Sequence, residues 1–267
     1  MLRASALHLK TPGLNPLHSV LSWLSKGLNQ ALIGFSREVL RHTVFYPFKL
    51  PAVVYPLFDF SRNLAIATTT VFFVIAVIQA QWPELNGGQG WGFSPVHVLH
   101  RTLTQVIWAL FSLPLVNGLL LFNNEVVAAL LARSAITFHF ASHMALLTDP
   151  ITAIVLTVAV VVLVAILGVY YVVRDVEIVV LLALIPWFAL FWMAQGQRSP
   201  SLLRLLKELL VAIFIQSIQA MVFYLFIHML GDQSSGNVMG QLEEIGLLYY
   251  VVKLPGQMRR IVGTVGP

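Results

Sequence analysis

The chain contains no cysteine, which excludes disulfides, thiolate metal sites and thiol chemistry outright. Charge is scarce as well. Asp, Glu, Lys and Arg make up 10% of the 267 residues, against about a quarter in an ordinary soluble domain. Three catalytic or nucleotide-binding signatures are missing: Gly-Lys-Ser/Thr, His-Glu-x-x-His and Gly-x-Ser-x-Gly. Phosphate-loop, zinc-helix and nucleophile-elbow chemistry lose their usual sequence support, and catalysis is not expected. The first ten residues lack the uninterrupted apolar core of a secretory signal, so insertion is expected to rely on the spans of the chain itself. No internal repeat is visible.

What is present is apolar sequence. Hydrophobic residues make up 58% of the chain and mean hydropathy is +0.83, the composition of a polytopic membrane protein. Ile151 to Val173 runs 23 residues without a charge, enough at ~1.5 Å per residue to cross a hydrocarbon core of ~30 Å. Arg174, Asp175 and Glu177 follow, then a second apolar run from Ile178 to Ala194. As one straight helix this stretch would measure about 66 Å, with three charges at mid-depth. A turn is therefore expected at Arg174, making a hairpin of two spans. Leu64–Ala80, Leu103–Phe122 and Leu209–Ile227 read as the other spans. The fold class expected is all-α: a polytopic helical membrane protein with about five transmembrane helices plus an amphipathic N-terminal helix.

Three segments follow from this pattern. Residues 1–62 form an interfacial, amphipathic segment. Between His18 and Arg41, apolar residues recur at three- and four-residue steps opposite Ser22, Lys26, Asn29, Arg37 and Arg41. That pattern suits a helix lying on the membrane, with packing on a partner subunit as the rival reading. Residues 44–58, broken by Pro47, Pro51 and Pro56, suit an interfacial or re-entrant connection. Residues 63–230 hold the spans, with a kink expected at Pro114 and Gly118 and a short separate helix capped by Asn124. Ser199 and Pro200 are a good start for a last span ending near Leu230, whose basic first turns, with Arg204 and Lys207, should protrude as a stub. Residues 231–267 form a tail with an apolar patch, Ile245–Leu254, too short to cross.

On this scheme one side of the membrane holds 11 Lys and Arg and the other five, which favours a cytoplasmic N-terminus. The basic tail then falls outside.

Candidate site residues are few. His97 with His100 and His139 with His143 are spaced for a shared helix face. Placed on opposite sides of a span about 30 Å long, they cannot share a metal, and no metal or other cofactor is expected. Arg174, Asp175 and Glu177 are either a solvated hairpin tip or a charged site in a translocation path. Gln216, Ser217 and Gln219 bond to neighbouring helices or line a pore. These residues, with Arg204 and Lys207, are the candidates for translocation or assembly.

Two blocks also carry a resemblance. Residues 101–131 (Arg101, the Pro114 span, Asn124 and the apolar stretch after it) and residues 170–223 (Tyr-Val-Val-Arg174, Pro186-Trp187, a basic link, then Phe-Ile-Gln216-Ser-Ile-Gln219-Ala) resemble the TrbL-like inner-membrane subunit of type IV secretion and conjugal DNA-transfer systems. The ending Leu254-Pro255-Gly256 with Arg259, Arg260 and Gly263 is similar to tails of compact members. Archaeal DNA-import machines use a related subunit. The resemblance implies a channel or scaffold subunit in the cytoplasmic membrane. Its implied partners are membrane lipids, further copies or other secretion-machine subunits including separate ATPases, and the transferred DNA or DNA–protein complex. A small-solute transporter and a histidine-based membrane metalloenzyme are the competing readings. The first is disfavoured by the missing repeat.

Overall fold

The computed structural model describes residues 16–81, 95–133, 150–195, 201–231 and 238–264. These form six helices: α1 (Pro16–His42), α2 (Val54–Gln81), α3 (Pro95–Arg133), α4 (Pro150–Gln195), α5 (Ser201–Gly231) and α6 (Val238–Thr264). Among the described residues there is no strand. Four helices, α2 to α5, are long and apolar enough to cross a membrane, and the chain is an all-α, multi-pass membrane protein with an additional N-terminal helix.

The hairpin expected at Arg174 does not form. α4 runs unbroken for 46 residues, so the expected third and fourth spans are the two halves of one helix. Arg174 is 1% exposed at its centre. The length argument assumed that charges at mid-helix must meet water or lipid; here Arg174 meets protein instead. A similar merger occurs in α3. The short helix expected after Asn124 continues the preceding span, giving 39 residues with Pro114 inside. Pro186 likewise sits within α4. Ser61 Oγ donates to the carbonyl of Ala183 at 2.6 Å, three residues before that proline. Hydroxyls of this kind satisfy backbone that a proline leaves short of donors.

Two apolar clusters lie along α4, one on each side of Arg174. The first holds Leu156, Val160, Val164 and Leu167 of α4 with Leu32 and Leu40 of α1, Val127 of α3, Phe223 of α5 and Leu248 and Val251 of α6. The second holds Ile178, Leu182 and Ile185 of α4 with Val54 and Phe58 of α2, Val116 and Leu120 of α3 and Leu205, Leu209 and Ile213 of α5. These memberships fix direction. As α4 rises through both clusters, α3 and α5 descend through them, and so run antiparallel to it. α1 climbs to the middle and α2 leaves from there, both in the sense of α4.

α1 thus packs on α4 of its own chain along Leu32 and Leu40, where Val39 approaches Gly168 so closely that a Cβ there would lie 3.2 Å from its Cγ1. Val20, Trp23 and Leu24 remain exposed. The apolar patch of the tail proves to be the middle of α6, a 27-residue helix containing Pro255, with Leu248, Val251 and Leu254 buried.

Candidate functional site

Between the two clusters lies a layer of polar side chains, one level thick, to which three helices contribute. Arg174 comes from α4, Asn123 from α3 and Gln216 from α5, and Arg174 and the two amides are almost wholly buried. Each sits where its helix passes from one apolar cluster to the other. A buried guanidinium is tolerable only when its donors are met, and those of Arg174 are. Its Nε donates to the carbonyl of Ala212 at 2.6 Å. Nη2 reaches the carbonyl of Ile213 at 3.2 Å and Gln216 Oε1 at 3.1 Å, while Nη1 faces Asp175 at 3.4 Å. The planar cation lies over Phe48 and Tyr171, 5.7 and 5.5 Å from their ring centroids.

Gln216 is the hub. Its Oε1 also accepts from Asn123 Nδ2 at 3.1 Å. Its Nε2 lies within reach of the carbonyls of Tyr46 (2.8 Å), Val44 (3.0 Å) and Thr43 (3.4 Å). These three belong to the non-helical stretch between α1 and α2, whose backbone is only partly paired within itself, the Tyr46 amide donating to the Thr43 carbonyl at 3.4 Å. Asn124 holds the same stretch from α3. Its Oδ1 accepts from the Phe48 amide at 3.1 Å and its Nδ2 donates to the Phe48 carbonyl at 2.9 Å, a two-bond bracket. Proline-rich and with little internal pairing, this stretch turns through the middle of the bundle rather than along a membrane surface.

Next to Gln216 on α5, Ser217 Oγ donates to Asn123 Oδ1 at 2.6 Å. Gln219 accepts from the Tyr171 hydroxyl at 2.6 Å and donates to the carbonyl of Val251 in α6 at 3.0 Å. The layer therefore touches all six helices or the joint between them. It is made of helix-to-helix bonds, and within the single chain Gln216 and Gln219 face packed protein.

The other candidates lie apart. Asp175 is partly exposed. Glu177 pairs with Arg259 of α6, whose Nε is 3.7 Å from Glu208 of α5; this cluster staples α6 across α4 and α5. Arg204 is exposed and Lys207 half-exposed, while Leu202, Leu205 and Leu209 on the same turns are buried. The basic turns of α5 are thus the outer face of a packed helix and not a free stub. His97 and His100 fall in the first turns of α3, and His139, His143 and Arg198 lie outside the described residues.

Asn123, Tyr171 and the Asn124 bracket carry no signal that sequence reading could use. Asn124 has the residue type of a helix cap, and it acts by clasping a segment 76 positions away.

Compared with known proteins, the chain matches no protein-family model, no curated protein and no solved structure.

Proposed function

We propose that the chain is a channel or scaffold subunit, in the cytoplasmic membrane, of a type IV secretion-like machine that moves DNA or a DNA–protein complex. Separate ATPases would supply the energy. The observation that carries this reading is the polar layer. Within the layer, Arg174, Asn123, Gln216 and Gln219 are spent on bonds between helices or to the joint, which supports a rigid unit that a polyanion would pass beside, between subunits. Small-solute carriers keep polar groups free at mid-depth for their cargo; here the layer is closed by its own partners. The resemblance over residues 101–131 and 170–223 supplies the cargo class.

Arg204 and Lys207 supply the contact chemistry. Basic groups on an outer helix face attract phosphates by releasing counterions, whereas strong binding deep in the path would hold the strand in place. The test replaces both residues by glutamate in a mating or DNA-uptake assay, beside a blot of the membrane fraction. The variant is expected to insert normally and to lose at least about tenfold in transfer, because two phosphate contacts become repulsive. Unchanged transfer would refute the role of this face. Full transfer by a strain lacking the whole protein would refute the DNA-transfer reading.

A further inference from the structure

α3 is one of the four helices long and apolar enough to cross a membrane, over Leu99–Leu130, and it is charge-free from Thr102 to Asn124. Its inner face, with Ala109, Ser112, Val116, Leu120 and Asn123, is buried in the bundle. The opposite face follows in steps of three and four residues: Ile107, Leu110, Pro114, Asn117 and Leu121 are all exposed. Four of these five suit acyl chains. Asn117 does not.

Asn123 and Asn124 of the same helix are bonded across the bundle, whereas Asn117 has no hydrogen bond among the described residues. It stands eight positions from Glu125 and sixteen from Arg101, about 12 and 24 Å along the axis, and so falls inside a hydrocarbon core of ~30 Å. Long basic side chains reach back to the headgroups from such a depth. An amide one methylene from its backbone has no such reach, and an unmet amide in hydrocarbon is costly.

Two neighbours suit the same place for contact. Gly118 is exposed, and a Cβ built on it would meet only open space, which leaves a notch beside the amide where a second backbone can come close. Pro114, one turn away, has no N–H, so the Leu110 carbonyl on this face lacks its helical donor.

Whatever covers Asn117 has to bring a hydrogen-bonding group at the same depth, and lipid tails bring none. A carboxamide is its own complement, because it carries both donors and an acceptor and two of them pair through two N–H···O bonds. Copies of one chain insert in one orientation, so a second copy presents the same amide at the matching depth without further requirement. We infer that Asn117 and Gly118 are the contact through which α3 pairs with α3 of a second copy, in parallel, about a two-fold axis along the membrane normal. The inference rests on the unmet amide and is independent of the DNA-transfer reading.

The absence of cysteine makes the test clean. Leu121→Cys, one turn from Asn117 on the same face, is oxidised with copper phenanthroline in native membranes and run on a non-reducing gel, with Val71→Cys on the exposed side of α2 as the control. The expected dimer band is at least tenfold stronger for Leu121→Cys. Adding Asn117→Leu should weaken that band at least fivefold, and Asn117→Gln should preserve it. Gly118→Ile, which fills the notch, should weaken it as Asn117→Leu does. Neither loss is expected to change the amount of protein in the membrane fraction or its midpoint of thermal unfolding in detergent as a monomer, since Asn117 has no bond and Gly118 no close neighbour inside the chain. Absence of a dimer band at Leu121→Cys, a band indifferent to Asn117→Leu, or a cross-link to a different polypeptide would each overturn the proposal. So would a lower monomer midpoint for Asn117→Leu, which would show that the amide is met within its own chain.

Discussion

Arg174 shows how a single residue can change what a sequence means. Sequence reading correctly marks it as exceptional and then places it in water, because in one dimension a charge between two apolar runs has no visible partner. Its partners are the carbonyls of Ala212 and Ile213 and the amide of Gln216, 38 to 42 positions later. Gln216 and Gln219 were legible as helix-bonding residues by type alone, since amides inside an apolar helix have few other stable uses. Asn123 and Tyr171 were not, because nothing local distinguishes them from their neighbours. The geometry at Arg174 requires a fork, with three acceptors met by one rigid planar group. Arg174→Lys keeps the charge but cannot reach all three. It is expected to lower the stability of the purified protein by about 1–3 kcal/mol, the cost of leaving a buried hydrogen-bonding group unmet, as a fall in the midpoint of thermal unfolding in detergent. An unchanged midpoint would show that the charge alone suffices.

At the scale of elements, the existence of helices was legible and their ends were not. Apolar runs announce helices by composition, but a charge or a proline inside a run reads as a break unless the partner that satisfies it is known. Joining α4 into one helix changes which connections share a side of the membrane. The start of α3 and the start of α5 now lie at one end of the bundle, and the starts of α4 and α6 at the other. Among the described residues, Lys26, Arg37, Arg41, Arg133 and Lys253 lie toward the end where α4 starts, Arg101, Arg204 and Lys207 toward the opposite end, and Lys49, Arg62, Arg174, Arg259 and Arg260 at or beyond the polar layer. With the N-terminus expected in the cytoplasm, the start of α6 is expected on the same side. Single-cysteine labelling with an impermeant maleimide checks this. Val96→Cys and Arg204→Cys should react from outside the cell, and Trp23→Cys and Leu242→Cys only after permeabilisation. Reaction of Arg204→Cys and Leu242→Cys from the same side would contradict the four-helix arrangement.

For the whole molecule, the polar layer divides the bundle into two apolar lobes that share α3, α4 and α5. One lobe is completed by α1 and α6, the other by α2. The joint between α1 and α2 gives Val44 to the first lobe and Phe48 and Leu50 to the second, and is clasped by Gln216 and Asn124. Gln216→Leu removes the clasp and takes away the side-chain donor to the carbonyls of Val44 and Tyr46, the acceptor of Asn123 Nδ2 and one acceptor of Arg174, each buried unsatisfied group costing about 1–3 kcal/mol. The expected outcome is loosening at the joint rather than global unfolding. Limited proteolysis should cut between His42 and Val54 at least about tenfold faster than in the parent chain, since a local opening cost of 1.4 kcal/mol already changes the open population tenfold. Cleavage that begins instead within α4 would show that the layer holds the lobes themselves together.

The span of the Gln216 contacts bears on how the protein is made. The carbonyls it binds are synthesised 170 to 173 residues earlier, a wait on the order of ten to thirty seconds at ribosomal speeds of ~5–20 residues per second. Arg174 leaves the ribosome before α5 exists to receive it. The long helix therefore enters the membrane carrying an unmet charge, and the joint waits with bare carbonyls. Release of α5 from the translocon is the event that closes the centre of the molecule, and a chain truncated before Ala212 keeps the Asn124 bracket and the Ser61 bond but lacks every α5 partner of Arg174.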